Sequence, residues 1–290
     1  MPELPDITIL AEALRAALVG RTIVAASAPD PLVLRATPAE FATLLGDRLL
    51  DVRQRGKFLI LEAGRTTVWA SPMLTGRFAM VAPGVARPKG SVILRFGPWV
   101  GPGPDVVAPW VRGAAWLPVR DAEVELRYLD PTRMGKVYLV PVDAPRSVPG
   151  TAPADLGPDA NDPALTVDEF RTRIRRHPGE LKGLLRNQSF VAGIGNAYSD
   201  EILWAARLSP FRRRSSLAGE EVDALYGAMR ETLAWSVDIL RARVPPTFEK
   251  QVRDHLRVHL RGGLPCLRCG AAISQIGGRE ATSYCRACQR

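Results

Sequence analysis

Ile7, Leu10, Ala11, Leu14 and Leu18 recur at spacings of three and four, which predicts an amphipathic helix ending at Gly20. The pattern then changes. Short apolar runs at 22–26, 49–53, 58–62, 67–70, 91–96, 123–129 and 136–140 alternate with turn residues and predict strands, with a short helix at 38–45 between the first two. Such short, punctuated strands suggest a β-sandwich or barrel. Residues 97–118 stand apart. Their prolines and glycines predict irregular structure, and they hold Trp99, Trp110 and Trp116, which either face DNA or a partner or pack back on the sandwich.

Residues 144–163, rich in Pro, Ala, Gly and Asp, read as a linker. Beyond it the period is helical. Thr166 and Glu169 have the spacing of a capping box. Further helices are expected at 180–186, from the glycines at 193 and 195 through 206, and along Val222, Leu225, Met229, Leu233, Val237 and Leu240. The expected α+β architecture is an N-terminal β-sandwich with a leading helix (1–143), a linker (144–163), a helical domain (164–261) and a small C-terminal metal-binding segment (262–290).

The 290 residues are 46% hydrophobic and 24% charged, as in folded soluble proteins. No run approaches the ~20 apolar residues of a membrane span. Glu3 and Asp6 occupy the place of a signal peptide's basic region, so a cytoplasmic protein is expected. The net charge of +9 and pI near 9.9 favour a polyanionic partner, nucleic acid before membrane. Residues 241–290 contain ten Lys/Arg against three Asp/Glu, so +7 of the +9 lies there.

The four cysteines fall in the same region, as Cys266-Leu-Arg-Cys269 and Cys285-Arg-Ala-Cys288. Two Cys-x-x-Cys pairs at this separation are suited to one closed, structural Zn2+ site. Disulfides or a redox pair are the alternative.

The N-terminus reads Met1-Pro2-Glu3-Leu4-Pro5-Asp6. Methionine before proline is normally removed, which exposes a secondary amine. An α-amino group titrates near 7.7–8.0, so part of it is neutral at pH 7 and able to attack an aldehyde-like carbon. Glu3 is placed to move protons beside it. Most Pro-Glu starts are plain chain ends. Here, however, the same chain also carries Asn187-Gln-Ser-Phe-Val-Ala-Gly-Ile-Gly-Asn196-Ala-Tyr-Ser-Asp-Glu201 and the four cysteines.

Together these motifs resemble the formamidopyrimidine-DNA glycosylase/endonuclease VIII family, along the whole chain and in the same order. The resemblance implies a helix–two-turn–helix module at 164–261, a zinc finger, damaged double-stranded DNA as partner, and a monomer associated with the nucleoid. It implies a bifunctional glycosylase and abasic-site lyase. Pro2 would be the nucleophile and Glu3 the proton donor and acceptor. Lys57, in Arg55-Gly-Lys57, would contact a phosphate near the lesion, or else be a plain strand-edge charge. Lys182 and Asn196 would grip backbone phosphates. Gly193 and Gly195 would bring the backbone close to DNA, with their amides as a phosphate site. Leu74 would fill the space of the flipped nucleotide.

Some positions depart from the family. Asp6 stands for glutamate. In Asp130-Pro-Thr-Arg-Met-Gly135, Thr132 stands for the arginine expected to read the opposite cytosine and Met134 for an intercalating phenylalanine, with Arg133 retained as a DNA contact. In the zinc finger Glu280 stands where an arginine is usual, and Arg279 lies one step earlier. These changes leave the lesion open. They admit a specialised enzyme for bulky adducts, crosslinks or abasic sites, or a non-catalytic binder of damaged DNA.

Overall fold

The computed structural model describes residues 1–100, 104–105, 107–143, 156–278 and 280–290. These fall into two compact units, the first comprising Met1–Pro2, Asp6–Pro153 and Leu240–Gln251, the second Glu3–Pro5, Ala154–Ile239 and Val252–Arg290.

The leading helix α1 (Leu4–Leu18) stops where Gly20 adopts φ 91°. After it come β1 (Arg21–Ser27), α2 (Pro38–Ala42), β2 (Leu49–Arg55), β3 (Phe58–Ala63), β4 (Thr66–Ser71), β5 (Arg77–Val81), β6 (Val92–Trp99), β7 (Val124–Leu129) and β8 (Lys136–Pro141). Two four-stranded antiparallel sheets result, ordered β1-β6-β7-β5 and β2-β3-β4-β8, and they form the expected sandwich. In β3 consecutive residues Leu59, Ile60 and Leu61 are all buried, because the sheet is covered on both faces. Ile60 packs with Trp69, Tyr138 and Val140. β5 was not expected. It pairs with β7 alone, and the adjacent burial of Phe78 and Ala79 erases the period-two signal.

Trp99, Trp110 and Trp116 pack back on their own unit. The Trp99 indole donates to the Val19 carbonyl (2.7 Å), Trp110 donates to Glu12, and Trp116 meets Phe248 edge-on at 5.6 Å. Beneath Trp99 lies Arg21, fully buried, with its guanidinium 4.7 Å from the ring centroid. It donates to the carbonyls of Ala17, Gly97, Ala122 and Val119 at 2.6–3.0 Å. One side chain thereby joins the end of α1, the end of β6 and the loop before β7. Burial holds its pKa below the usual arginine value.

In the second unit α3 (Val167–Arg176), α4 (Leu181–Arg186), α5 (Asn196–Ala205) and most of α6 (Gly219–Arg243) surround a core that includes Phe170, Phe190, Tyr198, Leu225 and Met229. Thr166 caps α3 by accepting from Glu169 N (3.2 Å), but the complete capping box belongs to Thr37 and Glu40 at α2. The second half of the expected linker is built into this unit: Asp159 bridges to Ala192, and Ala160 is fully buried. Residues 144–155 lie outside the described residues. The cysteine segment, with β9 (Ser274–Ile276) and β10 (Thr282–Tyr284), clusters with the helices, and Leu240–Gln251 clusters with the sandwich.

Arg21→Met strands the carbonyls of Ala17 and Gly97 in a buried site and frees two part-buried ones, so it is expected to lower unfolding stability by about 3 kcal/mol. Urea denaturation of the two proteins checks this, and an unchanged midpoint would refute it.

Candidate functional site

The amides that open α5 hold a carboxylate from the chain itself. Glu3, 2% exposed, accepts from Gly195 N (2.6 Å), Ala197 N (2.9 Å) and Tyr198 N (3.3 Å). A helix N-terminus attracts negative charge through its unpaired N–H groups and its dipole. Of the two glycine amides expected to form a phosphate site, Gly195 N here donates to Glu3 and Gly193 N to Gln188 Oε1 (2.9 Å). The glycines serve the same purpose. A Cβ on Gly195 would lie 2.6 Å from Glu3 Cδ, and one on Gly193 (φ 102°) 2.5 Å from Leu4 Cδ1. They admit residues 3 and 4, and Leu4 N donates to Gly193 O (2.9 Å). Behind this cradle the buried Tyr198 hydroxyl bonds Ser236 Oγ, which bonds His255 Nε2 at 2.8 Å.

Pro2 is buried in the first unit and lines a pocket with Asp6, Gly76, Arg77, Lys250 and Gln251. Arg77 donates to Gln251 Oε1 (2.9 Å), and Gln251 Nε2 donates to the Met1 carbonyl (3.0 Å). While Met1 is attached, the Pro2 nitrogen is a tertiary amide and no nucleophile. Removing Met1 makes it a secondary amine. Arg77, Lys250 and Gln251 escaped the sequence reading because only folding brings 77 and 250–251 to residue 2.

Lys57 lies half-buried in the β2–β3 turn, after Gly56 at φ 56°. The loop bearing Leu74 and the loop bearing Arg133 are joined through Asp130. Its carboxylate accepts from the Thr75 hydroxyl, from Thr132 N (3.3 Å) and from Gly135 N (2.6 Å). The Thr132 hydroxyl bonds Thr75, so its polar group is committed within the loops. Arg133 pairs with Asp30 (2.7 Å). Met134 stands 47% exposed, and Met73, beside Leu74, holds φ 46°, a strained value for a non-glycine residue.

Lys182 is turned inward. Its ammonium bonds Asp200 (2.6 Å) and the Ala281 carbonyl (3.3 Å). Burial lowers its pKa, against the pull of Asp200 and Glu3. Asn196 Nδ2 donates to the same carbonyl (3.1 Å). Both residues expected on phosphates thus anchor the β9–β10 hairpin. Asp200 also meets His259 Nδ1 (2.8 Å), and neighbouring Glu201 accepts from the amides of Arg257, Val258 and His259. Desolvation raises the Glu201 pKa, although those three amides oppose it. Glu280 pairs with Arg186 on α4 (2.6 Å), and Arg279 lies outside the described residues.

The sulfurs of Cys266, Cys269, Cys285 and Cys288 lie within 4.8 Å of one another, an arrangement able to hold a metal ion. None is disulfide-bonded; the Cys266–Cys288 and Cys269–Cys285 separations are 4.0 and 3.5 Å. Burial opposes ionisation of Cys266, but the Trp204 indole N–H and the amides of Arg268 and Cys269 outweigh it and bring the thiol down to about 6. Among the described residues no helix is long and apolar enough to cross a membrane.

A model of the formamidopyrimidine-DNA glycosylase N-terminal domain matches residues 1–137, and one of the formamidopyrimidine-DNA glycosylase H2TH domain matches 156–244. The formamidopyrimidine-DNA glycosylase of Thermus thermophilus is 33% identical over 300 residues, covering 100% of this chain and 98% of that protein. That of Roseiflexus sp. is 32% identical and covers 100% of both. Among solved structures, Lactococcus lactis Fpg (MutM) in complex with N7-benzyl-Fapy-dG DNA has the same fold, with a TM-score of 0.82 at 23% identity over 100% of both chains. The Lactococcus lactis Fpg complex with abasic-site DNA gives 0.81 at 23% over 99% of both. Matched along its whole length by such relatives, and by both domain models in order, the chain belongs to the formamidopyrimidine-DNA glycosylase family.

Proposed function

We propose that the protein is a base-excision-repair DNA glycosylase and abasic-site lyase that acts on damaged double-stranded DNA of the nucleoid. One observation carries the reading: a buried carboxylate, fixed by three amides, follows the prospective N-terminal amine by one residue. In the proposed sequence the Pro2 nitrogen attacks C1′ of the damaged nucleotide, passing its proton to the Glu3 carboxylate, and the glycosidic bond breaks, its electron pair leaving with the base, which takes a proton from solvent. The sugar ring opens to give an iminium as Glu3 supplies a proton to the ring oxygen. Glu3 then accepts a proton from C2′, and the C3′–O bond breaks with its electrons on the phosphate. Lys57 stabilises the phosphate charge near the lesion. The inward Lys182 supports a positioning role, holding the hairpin through Asp200 and Ala281. Asn196, bonded to the same carbonyl, supports the same role. Leu74 and Met134 are the apolar groups suited to fill the void of an everted nucleotide, and Arg133 reaches DNA when its Asp30 pair opens.

Thr132 favours a second reading of the lesion. With its hydroxyl committed to Thr75, it offers no bidentate cationic fork for the opposite base. A relaxed preference for that base follows. Single-turnover excision across duplexes differing only there is expected to vary less than about tenfold, whereas a hundredfold preference for cytosine would overturn it.

The four thiolates fit Zn2+: a tetrahedral site with Zn–S near 2.3 Å places sulfurs about 3.8 Å apart. The ion would fix the fold of the segment and take no part in bond breaking. One zinc per chain is expected by metal analysis. Cys285→Ser is expected to release it and abolish DNA binding, while binding that survives zinc loss would refute this role.

Glu3→Gln keeps the size of the side chain and removes the proton carrier. It is expected to slow nicking of abasic-site duplex by about 100-fold or more with binding retained. Undiminished nicking would remove Glu3 from the mechanism. A wild-type protein that binds abasic DNA and never nicks it would support the non-catalytic alternative.

A further inference from the structure

The helical unit carries a second concentration of arginine, separate from the residues assigned above. α3 ends in Arg173, Arg175 and Arg176, and Arg212, Arg213 and Arg214 follow α5. Between these segments a pocket of about 410 Å3 is lined by Arg171, Arg175 and Arg214 together with Ser215 and Gly219. Gly219 opens the 25-residue α6, so the positive end of a long helix dipole adjoins it.

Three of the nearby carboxylates, Asp223, Asp168 and Glu221, are already engaged. Asp223 accepts a two-pronged contact from Arg171 (2.7 and 2.5 Å), and Asp168 accepts from the same guanidinium (2.7 Å). Glu221 is held by Arg212 (2.7 Å) and Ala218 N (2.8 Å). Among the described residues Arg175 and Arg214 have no carboxylate partner. Arg214 Nε is shielded from solvent and has no hydrogen-bond acceptor. An acceptor bound in the pocket would satisfy this donor, since shielded donors are seldom left unmet in a folded protein.

We propose that this pocket binds a phosphate group, held by Arg175 and Arg214. Planar guanidinium forks match the paired oxygens of phosphate. Two sources share that chemistry, a phosphodiester of undamaged DNA and free inorganic phosphate. The DNA source rests on the reading that the protein acts on DNA; the free-phosphate source does not.

The test titrates the full chain with inorganic phosphate by calorimetry and, separately, with undamaged duplex over a range of salt. The double variant Arg175→Ala/Arg214→Ala is expected to lose phosphate binding. It is also expected to lower the slope of log affinity against log salt by about 1 to 2, with abasic-site nicking at saturating enzyme unchanged. Loss of phosphate binding with an unaltered duplex slope supports the pocket with free phosphate as its occupant. Retention of both overturns the proposal, as does binding of polyglutamate with no binding of phosphate. The variant Arg175→Lys/Arg214→Lys, which keeps the charge, is expected to restore most of the salt slope, which a structural role would not produce. A wild-type chain that takes up phosphate and never nicks abasic DNA would count against the catalytic reading and leave the pocket standing.

Discussion

The arrangement turns on one carboxylate meeting one helix end. Glu3 accepts three amides at the start of α5, and charge-assisted bonds of this kind are worth about 1.5–3 kcal/mol each. They fix residue 3, and so limit where the amine of residue 2 can go, since a single peptide bond joins them. Other features follow from the cradle. Gly193 and Gly195 lack side chains because Leu4 and Glu3 fill that space. Tyr198 gives its amide to Glu3 and its hydroxyl to Ser236, so α5 is tied to α6 at the turn that bears the cradle. Asp200 and Glu201, two and three residues further on, grip Lys182, His259 and the amides of 257–259. One ten-residue helix therefore organises both the Glu3 carboxylate and the approach to the cysteine hairpin.

The loops that would meet a lesion are built on a different principle. Asp130 gathers the Thr75 hydroxyl and the amides of Thr132 and Gly135, while Met134 stands exposed, Leu74 is half-buried, and the Thr132 hydroxyl bonds Thr75. Under the proposed function, Pro2 and Glu3 keep the family's residues while Thr132 and Met134 depart from them.

Much of this was legible in the sequence, and the gaps have physical causes. Strand runs such as 58–62 and 136–140 announce themselves because branched and aromatic residues cluster between turns. β5 does not, since an edge strand with two adjacent buried residues has no alternation to detect. The cysteine spacing and the Asn187–Glu201 string identified the family, but assigned the α5 amides and Lys182 to phosphate. No sequence pattern states that a carboxylate 192 residues away will reach Gly195 first, or that Lys182 will face Asp200 instead of solvent. Arg21 looked like an ordinary basic residue at a strand start. Its burial depends on carbonyls at 97, 119 and 122, which only the fold assembles.

The most direct measurement is the location of the covalent bond. Reducing the protein with borohydride in the presence of abasic-site DNA, digesting it and sequencing the adducted peptide by mass spectrometry identifies the nitrogen that forms the iminium. The modification is expected on the α-nitrogen of Pro2 in chains that have lost Met1, and to be absent from chains that retain it. An adduct on Lys57, Lys182 or Lys250, or one formed equally well with Met1 in place, would contradict the assignment of Pro2 and with it the purpose of the Glu3 cradle.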